Sequence, residues 1–536
     1  MNKLFEQLIK KRGIDEKFLH PKYEDLLDPF LLPDMKKAVD RIAQAIKSSE
    51  HILIYGDYDV DGVTASTAME EALRLAGAKE IDIMLPDRFV DGYGMNPKVV
   101  KKAKELGATL VITVDCGSSN SEIVEALKSE NIDTIVTDHH EIAGELPKAV
   151  AVLNPKRKDY DGFRDLAGVG VAFKLAQALA IKKMIPFGQE KWLLDLVLIG
   201  TLCDSMPLTG DNRILSFYGV KVLGMTRRLG LKELMRRAGV TRLNAESIGF
   251  QIGPRLNAAG RLESAELSLA LLRTKSIAEA AQIAERLEEL NKKRKTEQRI
   301  AAEEIRKRGI SHDPVLVEVG TWHEGILGIV AGKLVEEYAR PAFVLTKVSD
   351  DVYKGSGRSF GEFNLAEALA NCKDYILNGG GHALAAGVKV KADPIDAFRV
   401  AINDYYKSLN LKDQERFLEE GEDLVVEDLS DLSLDFFNDL EFLEPFGGDN
   451  EEPIFKLENI EVGEVRSMGV ESQHLSVIVV EKTSRLKLIS FFAPDDWFNI
   501  QPGDRCDILI KLMKNEWNGN ESVEGRILSL SFSEKS

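Results

Sequence analysis

Between residues 50 and 137 the chain repeats a pattern that few folds accept: a short apolar run, a turn, then a stretch of helical period. Residues 52–55, 81–85, 109–114 and 134–137 read as strands. Residues 62–75, 97–106 and 121–127 read as helices, the second of them stopping at Gly107. Short apolar strands alternating with amphipathic helices predict a parallel sheet covered on both faces. In such sheets ligands bind beyond the carboxyl ends of the strands. The residues that close each strand are therefore where chemistry is to be sought.

Three of these strands close on side chains able to hold a metal. The first runs into Gly56-Asp57-Tyr58-Asp59-Val60-Asp61-Gly62. In extended chain alternate residues point the same way, so the three carboxylates are expected to converge. Uncompensated, they raise one another's pKa, and a divalent cation removes that penalty. One alternative is a solvated acidic turn, since Asp and Gly favour turns. Another is a calcium loop, but its twelfth position needs Glu, and counting from Asp57 that position is Ala68. The next strands lead into Asp115-Cys116-Gly117 and Asp138-His139-His140. Carboxylate oxygens suit Mg²⁺ or Mn²⁺, and an imidazole pulls toward Mn²⁺ or a heavier metal. Residues 191–203 form an apolar segment long enough for a helix, and it ends at Asp204. A buried Asp needs a partner there, although a solvated helix terminus also fits. Cys116 and Cys203 read as small buried fillers, because hard cations prefer oxygen.

Other motifs suit phosphate. Gly253-Pro254-Arg255-Leu256-Asn257-Ala258-Ala259-Gly260-Arg261 reads as a glycine-bounded loop with an amide and two guanidinium forks. A surface turn is the plain alternative. Gly355-Ser356-Gly357-Arg358-Ser359 adds hydroxyls and a guanidinium. Residues 379–387, which include Gly381 and His382, read as a glycine-rich opening to a helix whose N-terminus favours an anion. A structural turn explains them as well.

The remaining chain divides by pattern. Residues 275–308 read as one long polar helix ending at Gly309, of the kind that bridges domains. Its Asn291-Lys292-Lys293-Arg294-Lys295 run offers charge to a nucleic-acid backbone, or is a solvated face. A second α/β unit spans about 312–408, residues 421–439 read as an acidic linker, and short alternating strands from 453 predict a small β-barrel. A length of 536 residues suits three or four domains. The net charge of −17 argues against a protein basic all over, but leaves room for a basic groove. Cys116, Cys203, Cys372 and Cys506 form no CxxC pair or disulfide framework, which favours a reducing, cytoplasmic setting. No signal peptide is expected at the N-terminus, and no uncharged apolar stretch reaches the roughly 18 residues of a membrane span.

Taken together and in this order, the motifs resemble the DHH phosphoesterase superfamily, whose name-giving triplet is Asp138-His139-His140. Arg88-Phe89, Gly92-Tyr93-Gly94, Gly253 to Arg261, Trp322-His323-Glu324-Gly325 and Pro445-Phe446-Gly447 resemble its RecJ branch. The resemblance covers about residues 20–534 and implies an α/β fold. Its parts are a parallel-sheet DHH catalytic domain (1–274), a connecting helix (275–309), an α/β DHH-associated domain (310–408), and a linker with an OB-like barrel (409–536). It implies a metal-dependent exonuclease that degrades single-stranded DNA 5′ to 3′ to mononucleotides, in DNA repair and recombination. Two Mn²⁺ or Mg²⁺ ions would be held by Asp57, Asp59, Asp61, Asp115, His139 and Asp204, with Asp115 bridging and His140 nearer the scissile phosphate. Asp115, His139 and His140 would be catalytic. Arg88, Arg255, Asn257, Arg261, Ser356, Arg358, Gly381 and His382 would bind substrate. Single-stranded DNA is the implied partner, with a single-stranded-DNA-binding protein or a helicase as candidate protein partners and no membrane. The family pattern Pro-Phe-Gly-x-Gly-Asn-Pro is broken at Asp449 and Glu451, which puts that turn's geometry and local charge in question. Two rival readings are a DHH oligoribonuclease or cyclic-dinucleotide phosphodiesterase, which would lack the barrel, and a non-catalytic scaffold, which would not need every acidic and histidine position.

Overall fold

The computed structural model describes residues 2–532 except 143, 392, 394, 410, 412–420, 470, 471 and 518. Five short strands form the first sheet: β1 (Ile52–Tyr55), β2 (Ile81–Met84), β3 (Leu110–Val114), β4 (Asp133–Thr137) and β5 (Ala151–Leu153). They are all parallel, in the order β2-β1-β3-β4-β5. Period-2 alternation divides the side chains between two cores. Ile52, Ile54, Leu110 and Ile112 face helices Val60–Leu75, Gly168–Ile181 and Leu194–Cys203. Leu53, Tyr55 and Val111 face helices Lys98–Leu106 and Ser121–Ser129. The strand order reverses between β1 and β3. A crevice opens at such a switch point, and the turns carrying Asp57 and Asp115 flank it.

The second unit is a mixed sheet of β6 (Leu316–Gly320), β7 (Ala342–Ser349), β8 (Val352–Arg358), β9 (Asn378–Gly381) and β10 (Ala385–Lys391), in the order β6-β7-β8-β10-β9. Only the β6–β7 pair is parallel among these neighbours. Helix Ile277–Arg308 joins the two units by packing into both. Ala284, Leu287 and Leu290 lie in the first core, and Ala301 and Ile305 in a core with Leu316 and Leu327. The third unit is a closed barrel of β12 (Phe455–Met468), β13 (His474–Glu481), β14 (Ser484–Ser490), β15 (Arg505–Trp517) and β16 (Asn520–Phe532), closed by β12 pairing with β15. Among the described residues, no helix is long and apolar enough to cross a membrane.

Four expectations change here. Residues 379–387 do not open a helix: they form the β9–β10 hairpin, where glycines let two strands approach. Residues 253–261 are not a loop but helix Gly253–Leu262, with Pro254 tolerated in the first turn. The acidic segment 421–439 is not a linker. It supplies β11 (Leu424–Val425) and helix Leu434–Leu440, whose Phe436, Phe437 and Leu440 are core to the barrel. The expected linker residues 412–420 lie outside the described residues. The N-terminal helix Lys3–Arg12, expected with the catalytic domain, buries Leu4, Phe5 and Leu8 in the barrel's core instead. The Asp449 departure is absorbed: Asp449 adopts the left-handed conformation with φ +54°, which Asp tolerates better than most residues. Gly447 and Asn450 still exchange two backbone hydrogen bonds of 3.0 Å.

One buried cation ties the barrel to the catalytic unit. Arg213, on helix Gly210–Gly224, donates to the carbonyls of Phe442 (2.8 Å), Leu443 (3.0 Å), Glu444 (2.7 Å) and Phe18 (3.0 Å). Replacing it strands buried acceptors, at about 1–3 kcal/mol each when unsatisfied. Arg213→Ala should therefore cost about 3–5 kcal/mol in guanidinium unfolding, with Arg213→Lys recovering less than half. A loss under about 0.5 kcal/mol, the size of an ordinary surface effect, would show that the clasp is unimportant.

Candidate metal centre and its cleft

The strand ends deliver their acids to one place. Asp57 follows β1 and is buried. Asp59 caps helix Val60–Leu75, its Oδ1 accepting from Gly62 N at 3.0 Å, and Asp61 sits in that helix's first turn. The three aspartates thus leave the strand direction and divide, rather than converging by strand alternation. Asp57 and Asp59 group with Asp115, whereas Asp61 groups with His139 and Asp204; each set has its ligand atoms within 4.8 Å. Asp115 also groups with His139 and His140, so it lies between the sets. His139 Nε2 is 3.1 Å from Asp115 Oδ1, 3.5 Å from Asp204 Oδ2 and 3.7 Å from Asp61 Oδ2. Asp61 is held by the first N–H groups of helix Gly168–Ile181, with Gly168 N at 2.6 Å and Val169 N at 2.9 Å. A Cβ on Gly168 would stand 2.5 Å from Asp115 Oδ1, so the approach of that helix requires glycine.

Electrostatics set the character of the centre. Burial, followed by the charge of Asp59, raises Asp57 well above the usual carboxylate range and Asp61 to about 7. Burial and the charge of Asp61 raise Asp115 far up and Asp204 to about 8. Asp57 Oδ1, Asp115 Oδ1 and Asp204 Oδ2 are buried and accept no hydrogen bond. Burial and the neighbouring His140 bring His139 down to about 3, leaving a neutral imidazole. Hard oxygens without donors beside a neutral imidazole suit Mn²⁺ or Mg²⁺, so the residues fit the implied ions. Asp138 does another job. Burial alone would raise it, but the His140 Nδ1 hydrogen bond at 2.9 Å and the two imidazoles bring it to about 2. Burial would lower His140 in turn, but Asp138 lifts it to about 9.

A cleft of about 740 Å³ opens over this cluster, walled by both α/β units. Arg88, Ser356, Arg358, Gly381 and His382 all line it, as does His140. Lys354 joins them. It shares one face of β8 with Ser356 and Arg358, a period-2 signal that could have found it. Tyr93 packs on His140 with ring centroids 5.0 Å apart. Arg88 stacks on Tyr58, its Cζ 4.7 Å from the ring centroid. Arg261 is brought to about 9 by burial and then by Arg88, Arg294 and Arg358. Burial, then Arg88, also lowers Arg358. Among the described residues none of these four guanidinium groups is ion-paired to a carboxylate, as expected of cations arranged for a phosphate.

Arg255 does not join them. It turns the other way on its helix, bonding Glu288 at 2.5 Å and the Gln251 carbonyl at 2.7 Å, and is a brace. Lys292 and Lys293 pair outward with Glu288 and Glu297 one helical turn away, whereas Arg294 faces inward. Asn257 lines a neighbouring cleft, which Arg261 separates from the first.

The raised acids give metal-free protein a predictable pH response. A carboxyl whose folded pKa exceeds its unfolded value binds more protons when folded, so stability falls as pH rises through the folded pKa. Asp61 and Asp204 lose this stabilisation from the ordinary carboxylate range up to about 7 and 8, and His140 from its ordinary value up to about 9, so the losses combine to lower stability across about pH 6.5 to 8. Calorimetry in EDTA should show the melting temperature falling across that window, with saturating Mn²⁺ abolishing the fall. A metal-free melting temperature that rises toward pH 8 would refute the repulsive cluster.

Comparisons with known proteins agree with this geometry. Residues 51–201 match the DHH family, N-terminal domain; residues 312–408 match the DHHA1 domain; residues 424–529 match the RecJ OB domain. The single-stranded-DNA-specific exonuclease RecJ of Bacillus subtilis is 38% identical over 99% of this chain and 68% of its own length. The crystal structure of RecJ from Thermus thermophilus in complex with Mn²⁺ superposes with a TM-score of 0.86 at 27% identity, over all of this chain and 76% of the other. The same protein in complex with Mg²⁺ gives 0.80 at 26% identity, over all of this chain and 75% of the other. With all three domain types in order and a relative this similar along nearly all of this chain, the chain belongs to the RecJ family.

Proposed function

We propose that the chain is a divalent-metal-dependent exonuclease that hydrolyses single-stranded DNA from the 5′ end to mononucleotides, in repair and recombination. The observation that carries this reading is the pairing of a donor-poor carboxylate cluster with an anion pocket of Arg88, Ser356 and Arg358 in one cleft. Asp57, Asp59, Asp61, Asp115, His139 and Asp204 would hold the two ions, Asp115 being shared by both ligand groups. Bound there, Mn²⁺ or Mg²⁺ supplies an activated water and stabilises the leaving oxygen.

The chain's own residues do the rest. Arg88, Ser356 and Arg358 hold the 5′-terminal phosphate and so set how far the scissile bond lies from the end. His140 has Nδ1 committed to Asp138, which leaves Nε2 to donate to a phosphate oxygen. Arg261 and Asn257 contact the DNA backbone, and Gly381 and His382 let the β9–β10 hairpin approach it. A duplex does not fit, because one cleft takes one strand. The barrel and full-length relatives favour RecJ over the shorter DHH phosphodiesterases, and the complete ligand set favours an enzyme over a scaffold. A single-stranded-DNA-binding protein or a helicase as partner, and a cytoplasmic location consistent with four free cysteines, complete the reading.

Two variants test it on end-labelled oligonucleotides. Asp115 has φ +60°, a conformation Asn also accepts, so Asp115→Asn isolates the chemistry. Turnover should fall by about 10³-fold or more, with DNA binding still measurable. Full activity in this variant, or in excess EDTA, would remove the metal centre from the mechanism. Charge-assisted bonds are worth about 1.5–3 kcal/mol each, so Arg358→Ala should cut the preference for 5′-phosphorylated over 5′-hydroxyl substrate about tenfold or more. Equal slowing of both would make Arg358 a mere brace, and release of 3′ label first would reverse the polarity.

A further inference from the structure

Asp204 closes one wall of the metal cluster, and the residues on either side of it, Cys203 and Ser205, open into a second cleft of about 940 Å³. Arg261 lines both clefts. The first cleft reaches the cluster from the Arg88 and Arg358 side, and the second leaves it toward the barrel, where Phe446, Lys511 and Arg526 form its far wall. If a 5′ phosphate sits in the first and the scissile bond over the cluster, the DNA continuing 3′ of that bond has the second cleft as its path.

Two side chains in the second cleft have no structural reason to be as they are. Arg294 is only 8% exposed, yet among the described residues it bonds only the amide oxygens of Asn291 (2.9 Å) and Gln298 (3.4 Å), with no carboxylate near enough to pair. Phe250 is 74% exposed and stands on the one π-helical segment among the described residues, Ile248–Ile252. Such segments are rare and cluster at functional sites. The cleft is not uniformly basic. Glu246, Glu451 and Glu452 line it too, and Glu452 approaches Arg526 to 3.9 Å. Backbone charge alone is therefore a poor grip here, and an uncharged contact has more to contribute. Aromatic rings stack on any base, so a stacking platform holds single strands without reading sequence.

We propose that Phe250 stacks on a nucleobase of the DNA 3′ of the scissile bond while Arg294 and Arg261 hold the adjoining phosphates. These three side chains grip the undegraded strand between successive cleavages. The inference rests on the nuclease reading above and assigns the exit side of the same site. It makes Phe250 a positioning residue, because the ring is remote from the reacting atoms.

The test uses the full chain with Mn²⁺. Phe250→Ala should raise KM for a single-stranded 20-mer about tenfold, while Phe250→Trp stays near wild type. A 5′-phosphorylated dinucleotide, too short to reach the ring, should show a much smaller rise. A 20-mer carrying 2-aminopurine near its 5′ end and a phosphorothioate at its terminal linkage gives a second readout. Its fluorescence should be quenched on binding to the wild type and to Phe250→Trp, and less so on binding to Phe250→Leu or Phe250→Ala. Equal KM on the 20-mer together with unchanged quenching in Phe250→Ala overturns this inference and leaves the nuclease reading standing. A folded wild type that hydrolyses no DNA with Mn²⁺ overturns the nuclease reading, and this inference with it.

Discussion

Five buried or half-buried carboxylates crowd the ends of a parallel sheet, and their mutual repulsion is the condition that much of the catalytic unit is arranged to meet. Asp57, Asp61, Asp115 and Asp204 are pushed up by burial and by one another. Folding must therefore supply compensating positive potential locally or leave the acids protonated. It supplies only part. The N-terminus of helix Gly168–Ile181 gives two N–H groups to Asp61, where a helix dipole favours negative charge. Asp57 Oδ1, Asp115 Oδ1 and Asp204 Oδ2 have no donors. A site compensated this incompletely is suited to small divalent cations, whose charge offsets the repulsion.

The same economy explains the histidines. Neighbours in sequence, His139 and His140 are driven in opposite directions, one to a neutral ring among carboxylates and the other to an imidazolium on Asp138. One residue is suited to a metal and the next to an anion. The difference comes from burial of the His139 ring and from the Asp138 hydrogen bond that the His140 ring makes through Nδ1.

Around the centre, four guanidinium groups have no carboxylate partner among the described residues, although Lys354 in the same cleft pairs with Glu324 at 2.6 Å. Arg88, Arg261, Arg294 and Arg358 line these clefts. Arg255, on the same helix as Arg261, is paired with Glu288, and Lys292 and Lys293 are paired one turn along their helix. An acidic chain thus presents a basic path locally. Arg213 fixes the barrel's orientation to that path by binding carbonyls at residues 442–444, just ahead of the turn whose Gly448 carbonyl bonds Leu208 N at 2.7 Å, four residues beyond Asp204.

The sequence by itself determined the parallel sheet, the acids and histidines at its strand ends and the barrel, because these depend on local period and on which residue follows a buried strand. It also singled out Arg88, Ser356 and Arg358, through resemblance, and these line one cleft. It misread residues 379–387 and 253–261, because a glycine-rich segment has no local preference strong enough to choose between hairpin, loop and helix. Only tertiary packing chose. It could not show that Arg255 faces Glu288 while Arg261 faces the cleft, since a helix sets these two side chains about 120° apart but which surface each direction meets depends on neighbours the sequence does not place. Nor could it separate Asp57 and Asp59 from Asp61, or put Lys3–Arg12 into the barrel's core more than 400 residues away. Those outcomes depend on contacts between elements remote in sequence, where burial and charge are decided jointly by surfaces that meet only in the folded chain.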